Sequence, residues 1–541
     1  MQLDQMETEP SGRAITAERG RWTTPSRPLR IQLRLWPAVL PFAVLLPVVL
    51  APPANHDAAA VLDFSQRWLA GEPLYDRLVD VNPPLIFILN LIPAAIARVT
   101  PLGAIPALQL CLLGWGLFCW VLSFRARERR IEGRAERTFL DVLPGLFLLG
   151  AGYDFGQREH LMAIAALPYV FSAAQRSQGR QSSVPVRIGL NAAIGLALKP
   201  YFLALAGLVE IAVLAGRFQA SGFRAGLHQA LADRIPLVML LAWATYLASV
   251  PLLFPAYFTF VIPLAWTLYI GLGGLSPVQL LLMPRMALAA SLLLPLAATA
   301  FLPGDRALPR MLGLAGLGAL IAALVQHKGY SYHILPVELF GCALVTVILA
   351  QVSDRARGRI PGLGHVPPAW AAAGLAFLFA LYSPAVGEAP WRELGYRRSP
   401  AEGLAALLER QASGQKVLVL SPGVYPIYPA LNYAGAHPTL RTMNLWILQG
   451  VYAQCLPNGE RYREGAAMGA AERSVFQGVA EDFAAAPPAV VIVDKQPGIP
   501  WCGQEFNFIA YFTRNPQFAA VWKRYRLTND YDRYRIYTLR Q

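Results

Sequence analysis

Polar and apolar positions in this chain are sorted into long blocks rather than into the short alternations of a soluble fold. Apolar runs recur near 35–53, 104–124, 138–153, 160–176, 186–199, 202–216, 235–252, 278–302, 311–326, 334–352 and 367–383. Runs of about 17 to 25 residues are long enough to cross a bilayer as helices, so the pattern predicts about eleven crossings. One further apolar segment, Pro84 to Val99, poses a choice. If it spanned, Arg125, Arg127, Arg129, Arg130, Arg134 and Arg137 would face outward, against the tendency of positive loops to stay in the cytoplasm. It is therefore expected to lie along the outer membrane surface as a juxtamembrane helix, started by Pro83 and Pro84 and broken at Pro93.

With that segment on the surface, charge and chemistry sort to opposite faces. Cytoplasmic loops hold Arg125 to Arg137, Arg176 to Arg187, Arg217 to Arg234, Arg306 with Arg310, and Arg355 to Arg359. Outward loops hold a carboxylate-rich stretch after the first helix, then YDFGQREH, LKPY, LFPAYFTFVIPLAW and HKGYSYH. An inside N-terminus and eleven crossings put the region after the last apolar run outside. There charged and aromatic residues rise, and KVLVLS (416–421) and AVVIVDK (489–495) read as buried strands between helical stretches. The expected fold is a polytopic α-helical membrane protein with a C-terminal α/β domain. It divides into a basic cytoplasmic tail (1–34), a transmembrane domain (35–383) and a periplasmic α/β domain (384–541).

Composition supports this reading. The 541 residues are 55% hydrophobic and 15% charged, too apolar for an ordinary soluble protein of this length. The net charge of +14 lies largely in short arginine-bearing loops, where it sets topology, so nucleic acid is not expected as a partner. The first apolar run ends in Pro52-Pro53 and acid-rich sequence rather than a cleavage site, so it is expected to be a retained helix. Cys455 and Cys502 both fall in the C-terminal region, where an oxidising compartment would let them pair as a disulfide.

The candidate chemistry begins at NHDAAAVLDFSQRWLAGEPLYDRLVDVNPPL, which opens at Asn55. Asp57, Asp63, Glu72, Asp76 and Asp80 lie close to a bilayer surface, where charge is costly unless water or a ligand meets it. Asp57 follows the first helix and can serve as a general base toward an acceptor hydroxyl; the competing role is to cap the helix opening at Ala58. In GYDFGQREHL, Glu159 offers a second carboxylate or a divalent-cation ligand, against a salt bridge to Arg158 or a dipole-favoured place in the first helical turn. Asp154 competes with it.

Lys199, after a long uncharged run, can neutralise a phosphate or merely snorkel to the interface. Lys328 and His333, with His327, Tyr330 and Tyr332, supply a second cationic group in HKGYSYH. Arg285, inside a helix, needs an anionic partner or a wet cavity. Acids and cations on one face suit a definite chemistry, in which an acid deprotonates a nucleophilic hydroxyl while cations stabilise charge on a departing phosphate. A lipid-linked phosphosugar fits, with its tail in the membrane and its sugar at the surface.

GEPLYDRLVDVNPPL, GQREHL, ALKPYF and HKGYSYHILP together resemble the C-type glycosyltransferases, which include protein O-mannosyltransferases and the aminoarabinose transferases that modify lipid A. The resemblance covers roughly residues 35 to 383. It implies that Asp57 is the loop-one base, that Glu159 or Asp154 is the acid of the second outer loop, and that Lys199 faces the donor phosphate. His56, Tyr75, Asp80 and Asn82 complete the loop-one motif. Relatives often carry an acid where this chain has Asn82, which weakens a metal site because an amide oxygen is a poorer cation ligand; a divalent cation stays open, and no other cofactor is implied. The expected reaction is inverting transfer of a hexose or pentose from a polyprenyl-phosphate donor to a lipid, glycan or protein acceptor of the cell envelope. Its expected place is the periplasmic face of a bacterial inner membrane. The rival is a lipid or polysaccharide transporter, or an envelope-assembly protein. A transporter would carry ionisable residues near the bilayer midplane, whereas here they gather at one face.

Overall fold

Proline, glycine and side-chain caps decide where the helices of this chain start and stop. The computed structural model describes residues 42–540 apart from 44, 48, 128–131, 300, 302–305, 357–366, 386–394, 458 and 500–505. The basic tail and Cys502 lie outside the described residues, so the proposed disulfide does too; Cys455 is exposed.

Asn55 opens α1 (His56–Leu69) by accepting, at its Oδ1, the N–H groups of Asp57 and Ala58 at 3.0 and 3.2 Å. Asp57 is thus a first-turn residue and not the cap. α2 (Pro84–Val99) starts on Pro84, where a missing N–H costs nothing, and runs through Pro93 instead of breaking there. Pro93 and Ala94 are buried, so packing on the neighbouring helices compensates for the bond the proline cannot make.

α3 (Ala104–Arg125), α4 (Arg134–Leu149), α5 (Arg158–Arg176), α6 (Pro185–Leu196), α7 (Leu203–Ser221), α8 (Phe223–Leu231) and α9 (Arg234–Leu253) follow. The aromatic stretch after them, expected to be a loop, is helical from Tyr257 to Tyr269 with two wide π turns. The run expected as a single span at 278–302 is two helices, α10 (Pro277–Leu282) and α11 (Pro284–Thr299). Pro284 drives the preceding Met283 into an extended conformation, ψ 132°, and the helix stops. α12 (Ala307–Val325), α13 (Ser331–Ala356) and α14 (Pro368–Ala385) complete the bundle.

Among the described residues five helices are long and apolar enough to cross a membrane: α3, Pro200–Ser221 (which contains α7), α9, α12 and α13. The apolar window of α13 is 83% buried and that of α9 only 17%, so α13 is the centre of the bundle and α9 its rim. Leu240, Leu241, Leu247 and Leu252 on α9 are correspondingly exposed, as lipid-facing residues are.

The 19 residues of α5 extend about 28 Å at 1.5 Å per residue, so its ends belong to opposite ends of the bundle. At the far end Arg176 gives Nη1 and Nη2 to Glu210 at 2.8 and 2.7 Å and Nε to Asp233 at 2.6 Å. Arg217 joins the same Asp233 at 2.5 Å. At that end too, the Asp354 carboxylate accepts the first free N–H groups of α4, from Ala135 and Glu136. Arginine-bearing loops are thereby tied into closed ion pairs.

After the bundle come α15 (Pro400–Ala412), β1 (Lys416–Leu420), α16 (Ile427–Ala434), β2 (His437–Pro438), α17 (Trp446–Val451), α18 (Ala470–Ala485), β3 (Val490–Asp494), α19 (Phe508–Phe512), α20 (Pro516–Trp522), β4 (Tyr525–Tyr531) and β5 (Tyr534–Leu539). The sheet order is β2-β1-β3-β5-β4, with β1 parallel to β2 and β3, and β5 antiparallel to β3 and β4. Val490 to Val493 are buried, which suits a central strand covered on both faces. This domain grips α1. Tyr433 Oη accepts the Ala54 N–H at 2.8 Å, Asn432 Nδ2 donates to the Ala59 carbonyl at 3.1 Å, and Tyr428 Oη donates to Asp63 at 3.2 Å. Arg67 donates to the Leu440 carbonyl at 2.9 Å.

Candidate active site

The turn before α5 brings several of the candidate loop residues together. Gly156 has φ +88°, and a Cβ there would meet Leu112 at 2.9 Å, so the turn before α5 requires glycine. It directs Gln157 and Arg158 toward the first turn of α1. Gln157 Nε2 donates to Asn55 Oδ1 at 2.8 Å and to Asp57 Oδ2 at 3.0 Å, and Arg158 Nη2 stands 4.0 Å from that same oxygen. Burial by itself would push the Asp57 carboxyl up, but its neighbours His56 and Arg158, the Gln157 amide and Lys199 bring it below the usual carboxylate range. Asp57 is therefore ionised and ready to accept a proton.

One residue along, Glu159 points elsewhere, because successive side chains on a helix diverge. Its Oε1 takes Lys199 Nζ at 2.6 Å and lies 3.6 Å from His333 Nε2. Lys199 also donates to Gln326 Oε1 at 2.8 Å. Glu159 does lie in the first turn of α5, and in place of the alternative bridge to Arg158 it pairs with a residue forty positions away in sequence. His333 Nδ1 lies 2.8 Å from the Lys328 carbonyl, which fixes the loop carrying Lys328. The Lys328 ammonium sits 3.2 Å from the centre of the Tyr269 ring, a cation–π contact, and forms no ion pair among the described residues. Burial, with Lys199 nearby, pulls its amine down to about 7.

Arg158, Lys199, Lys328 and His333 line a cavity of about 330 Å³. Apolar side chains line it too: Val261, Ile262, Ala265 and Trp266 from the helix that sequence patterning reads as a loop, and Ile270 just after it. Asn82 and Pro83 close it from loop one. A cavity lined by both cations and apolar side chains accepts an anionic head carrying a hydrocarbon tail.

The remaining loop-one residues build rather than line the site. Tyr75, at φ +70°, donates from its hydroxyl to the Asn82 carbonyl at 2.6 Å. Asp80 Oδ1 accepts the Asn82 N–H at 2.8 Å and its side-chain amide at 2.6 Å, and burial raises the Asp80 carboxyl. His56 Nδ1 lies 2.9 Å from the Tyr153 hydroxyl, and its ring stacks on Tyr153 at 5.7 Å. Asp154 accepts from Ser331 Oγ at 3.1 Å and does not line the cavity. Arg285 is not brought to it either: it forms a two-point ion pair with Glu338 at 2.8 Å in the bundle interior.

The carboxylates do not assemble as a cation site. Glu159 is turned to Lys199, Asp57 to Gln157, and among the described residues no three His, Cys, Asp or Glu side chains come together for a metal. Sequence reading did not single out Arg158, Gln157, Gln326 or Tyr269. For Arg158 a signal existed, since neighbouring opposite charges on a helix cannot satisfy one another and each must find a partner elsewhere.

No protein-family model and no curated protein sequence matches the chain. Among solved structures it is similar to ArnT from Cupriavidus metallidurans bound to undecaprenyl phosphate, with 14% identity over 92% of this chain and 97% of that one, at a TM-score of 0.48. It is also similar to the same protein in the apo state, with 13% identity, the same coverage and a TM-score of 0.45. A third is the archaeal oligosaccharyltransferase AglB from Archaeoglobus fulgidus in complex with an inhibitory peptide and a dolichol-phosphate, with 12% identity over 85% of this chain and 69% of that one, at a TM-score of 0.43.

Proposed function

We propose that the protein transfers a sugar from a polyprenyl-phosphate donor to a hydroxyl-bearing acceptor of the cell envelope. The observation that carries this reading is one cavity lined both by Arg158, Lys199 and Lys328 and by apolar side chains, with Arg158 4.0 Å from Asp57. The donor phosphate sits between Arg158 and Lys328, with Lys199 behind them on Glu159, and the first isoprene units lie along Ile262, Ala265 and Trp266. Asp57 takes the acceptor proton as the acceptor oxygen attacks the anomeric carbon from the side away from the phosphate, so the transfer inverts configuration. The cations stabilise the charge that gathers on the departing phosphate. Glu159, rather than Asp154, is the second acid, and its role is to hold Lys199. The transferred unit is a hexose or pentose, and the acceptor a lipid, glycan or protein.

In this reading the chain crosses a bacterial inner membrane about eleven times, with its N-terminus in the cytoplasm and the domain after residue 384 in the periplasm. The pairing of charges at the Arg176 end, against the open cations at the Arg158 end, supports the assignment of faces. Purified protein in lipid nanodiscs, given undecaprenyl phosphate bearing a neutral hexose, an acetamido hexose or an aminopentose together with an envelope extract, should release undecaprenyl phosphate from one donor. Movement of an intact lipid-linked sugar across proteoliposomes, without cleavage, would instead establish the transporter reading.

A further inference from the structure

We propose that His56 carries the proton away from Asp57 after each transfer: a proton enters at its Nε2, the Nδ1 proton passes to the Tyr153 hydroxyl, whose own proton goes to water, and exchange with solvent returns the ring to its starting tautomer. The inference rests on the glycosyl-transfer reading. In that reaction a bond forms between the acceptor oxygen and the anomeric carbon. The bond from that carbon to the phosphate oxygen breaks, its electron pair goes to the phosphate, and the acceptor's proton goes to Asp57. The carboxylate must lose that proton before it can act again.

The groups around Asp57 differ in their ability to take it. Oδ2 meets the Gln157 amide at 3.0 Å and Arg158 at 4.0 Å; an amide N–H and a permanently protonated guanidinium only donate. Oδ1 faces His56 Nε2 at 3.6 Å. An imidazole can accept at one nitrogen while releasing from the other, and the second nitrogen of this ring, Nδ1, is already 2.9 Å from the Tyr153 hydroxyl. The ring is held by stacking on Tyr153 at 5.7 Å and by the edge of Tyr425 at 6.0 Å. The Asn55 cap fixes His56 and Asp57 side by side in the first turn of α1. The His56 side chain is 26% exposed and Tyr153 is half-buried, so a proton passed from His56 to Tyr153 reaches water, and neither residue lines the donor cavity. The titratable groups facing His56 are Asp57 from its own helix, Tyr153 from the turn before α5 and Tyr425 from the C-terminal domain; Arg158, from α5, faces Asp57.

Two measurements on the full chain in nanodiscs test this. With ¹⁵N-histidine labelling and His56→Gln to assign the signal, the His56 ring resonances should shift in Asp57→Asn and change tautomer balance in Tyr153→Phe. If neither substitution moves them, the relay is overturned whether or not a substrate is known. With the undecaprenyl-phosphate sugar that the native protein consumes and the envelope extract as acceptor, His56→Gln should complete its first turnover at the native rate. It should then run about tenfold or more slower in the steady state, with recovery as imidazole is added. An unchanged steady state, or an equal loss in the first turnover, would contradict the proposal. If the native protein consumes no donor, it is the glycosyl-transfer reading that fails, and the resonance data still decide the coupling.

Discussion

At one end of α5, Arg176 gives three nitrogens to Glu210 and Asp233, and Asp233 also holds Arg217. At the other end, Arg158 stands 4.0 Å from Asp57, and Lys328 rests on the Tyr269 ring with no ion pair among the described residues. Both ends are rich in buried charge, and burial makes an unpaired charge expensive. The difference teaches where to look for a ligand. Closed ion pairs hold helices together, while buried cations left short of carboxylates keep their capacity for an incoming anion. The Glu159–Lys199 pair sits between these cases: it is closed like the Arg176 set, yet its ammonium faces the cavity.

That contrast can be broken most strongly at the structural end. Arg176→Ala leaves Glu210 and Asp233 without their main partner and should cost about 3–5 kcal/mol of stability, read as a fall in melting temperature. Undecaprenyl-phosphate affinity of the remaining folded protein should be unchanged. Lys199→Ala should likewise destabilise, by about 3 kcal/mol, because Glu159 is then a buried, uncompensated charge. Glu159→Gln combined with Lys199→Met should recover much of that stability without recovering activity. Lys328→Ala sharpens the contrast from the other side. It breaks no ion pair, so stability should stay within about 0.5 kcal/mol, while undecaprenyl-phosphate affinity falls about ten- to hundredfold.

How much of this was legible in the chain is clearest from particular residues. Asp57, Glu159, Lys199, Lys328 and His333 stood out as polar residues where apolar runs end, and they do gather at one end of the bundle. Their partners were not legible. Nothing local says that Glu159 reaches Lys199 rather than adjacent Arg158, or that Arg285 is consumed by Glu338, because tertiary packing sets pairs so distant in sequence. The aromatic stretch from Tyr257 to Tyr269 read as a loop, yet it is helical, with Pro263 in the short turn between its two π turns, and it supplies apolar lining to the cavity. Asp57 as a cap was a reasonable expectation that Asn55, two residues earlier, pre-empts.

A smaller effect follows from the acidity of Lys328. Burial lowers its amine to about 7, so the cation is present below pH 7 and lost above it in the ligand-free protein. A bound phosphate restores the charge by drawing a proton onto the Lys328 amine, so affinity should fall by up to about tenfold per pH unit between pH 7 and 9. Lys328→Arg, which stays charged, should flatten that slope in a titration of undecaprenyl-phosphate binding.

In the proposed mechanism Asp57 is the base of a glycosyl transfer from a lipid phosphate. The most direct test compares native protein with Asp57→Asn in nanodiscs, measuring undecaprenyl-phosphate affinity and donor consumption in parallel. Affinity should be retained, and turnover should fall by about a hundredfold or more. Native turnover in Asp57→Asn would contradict the assignment.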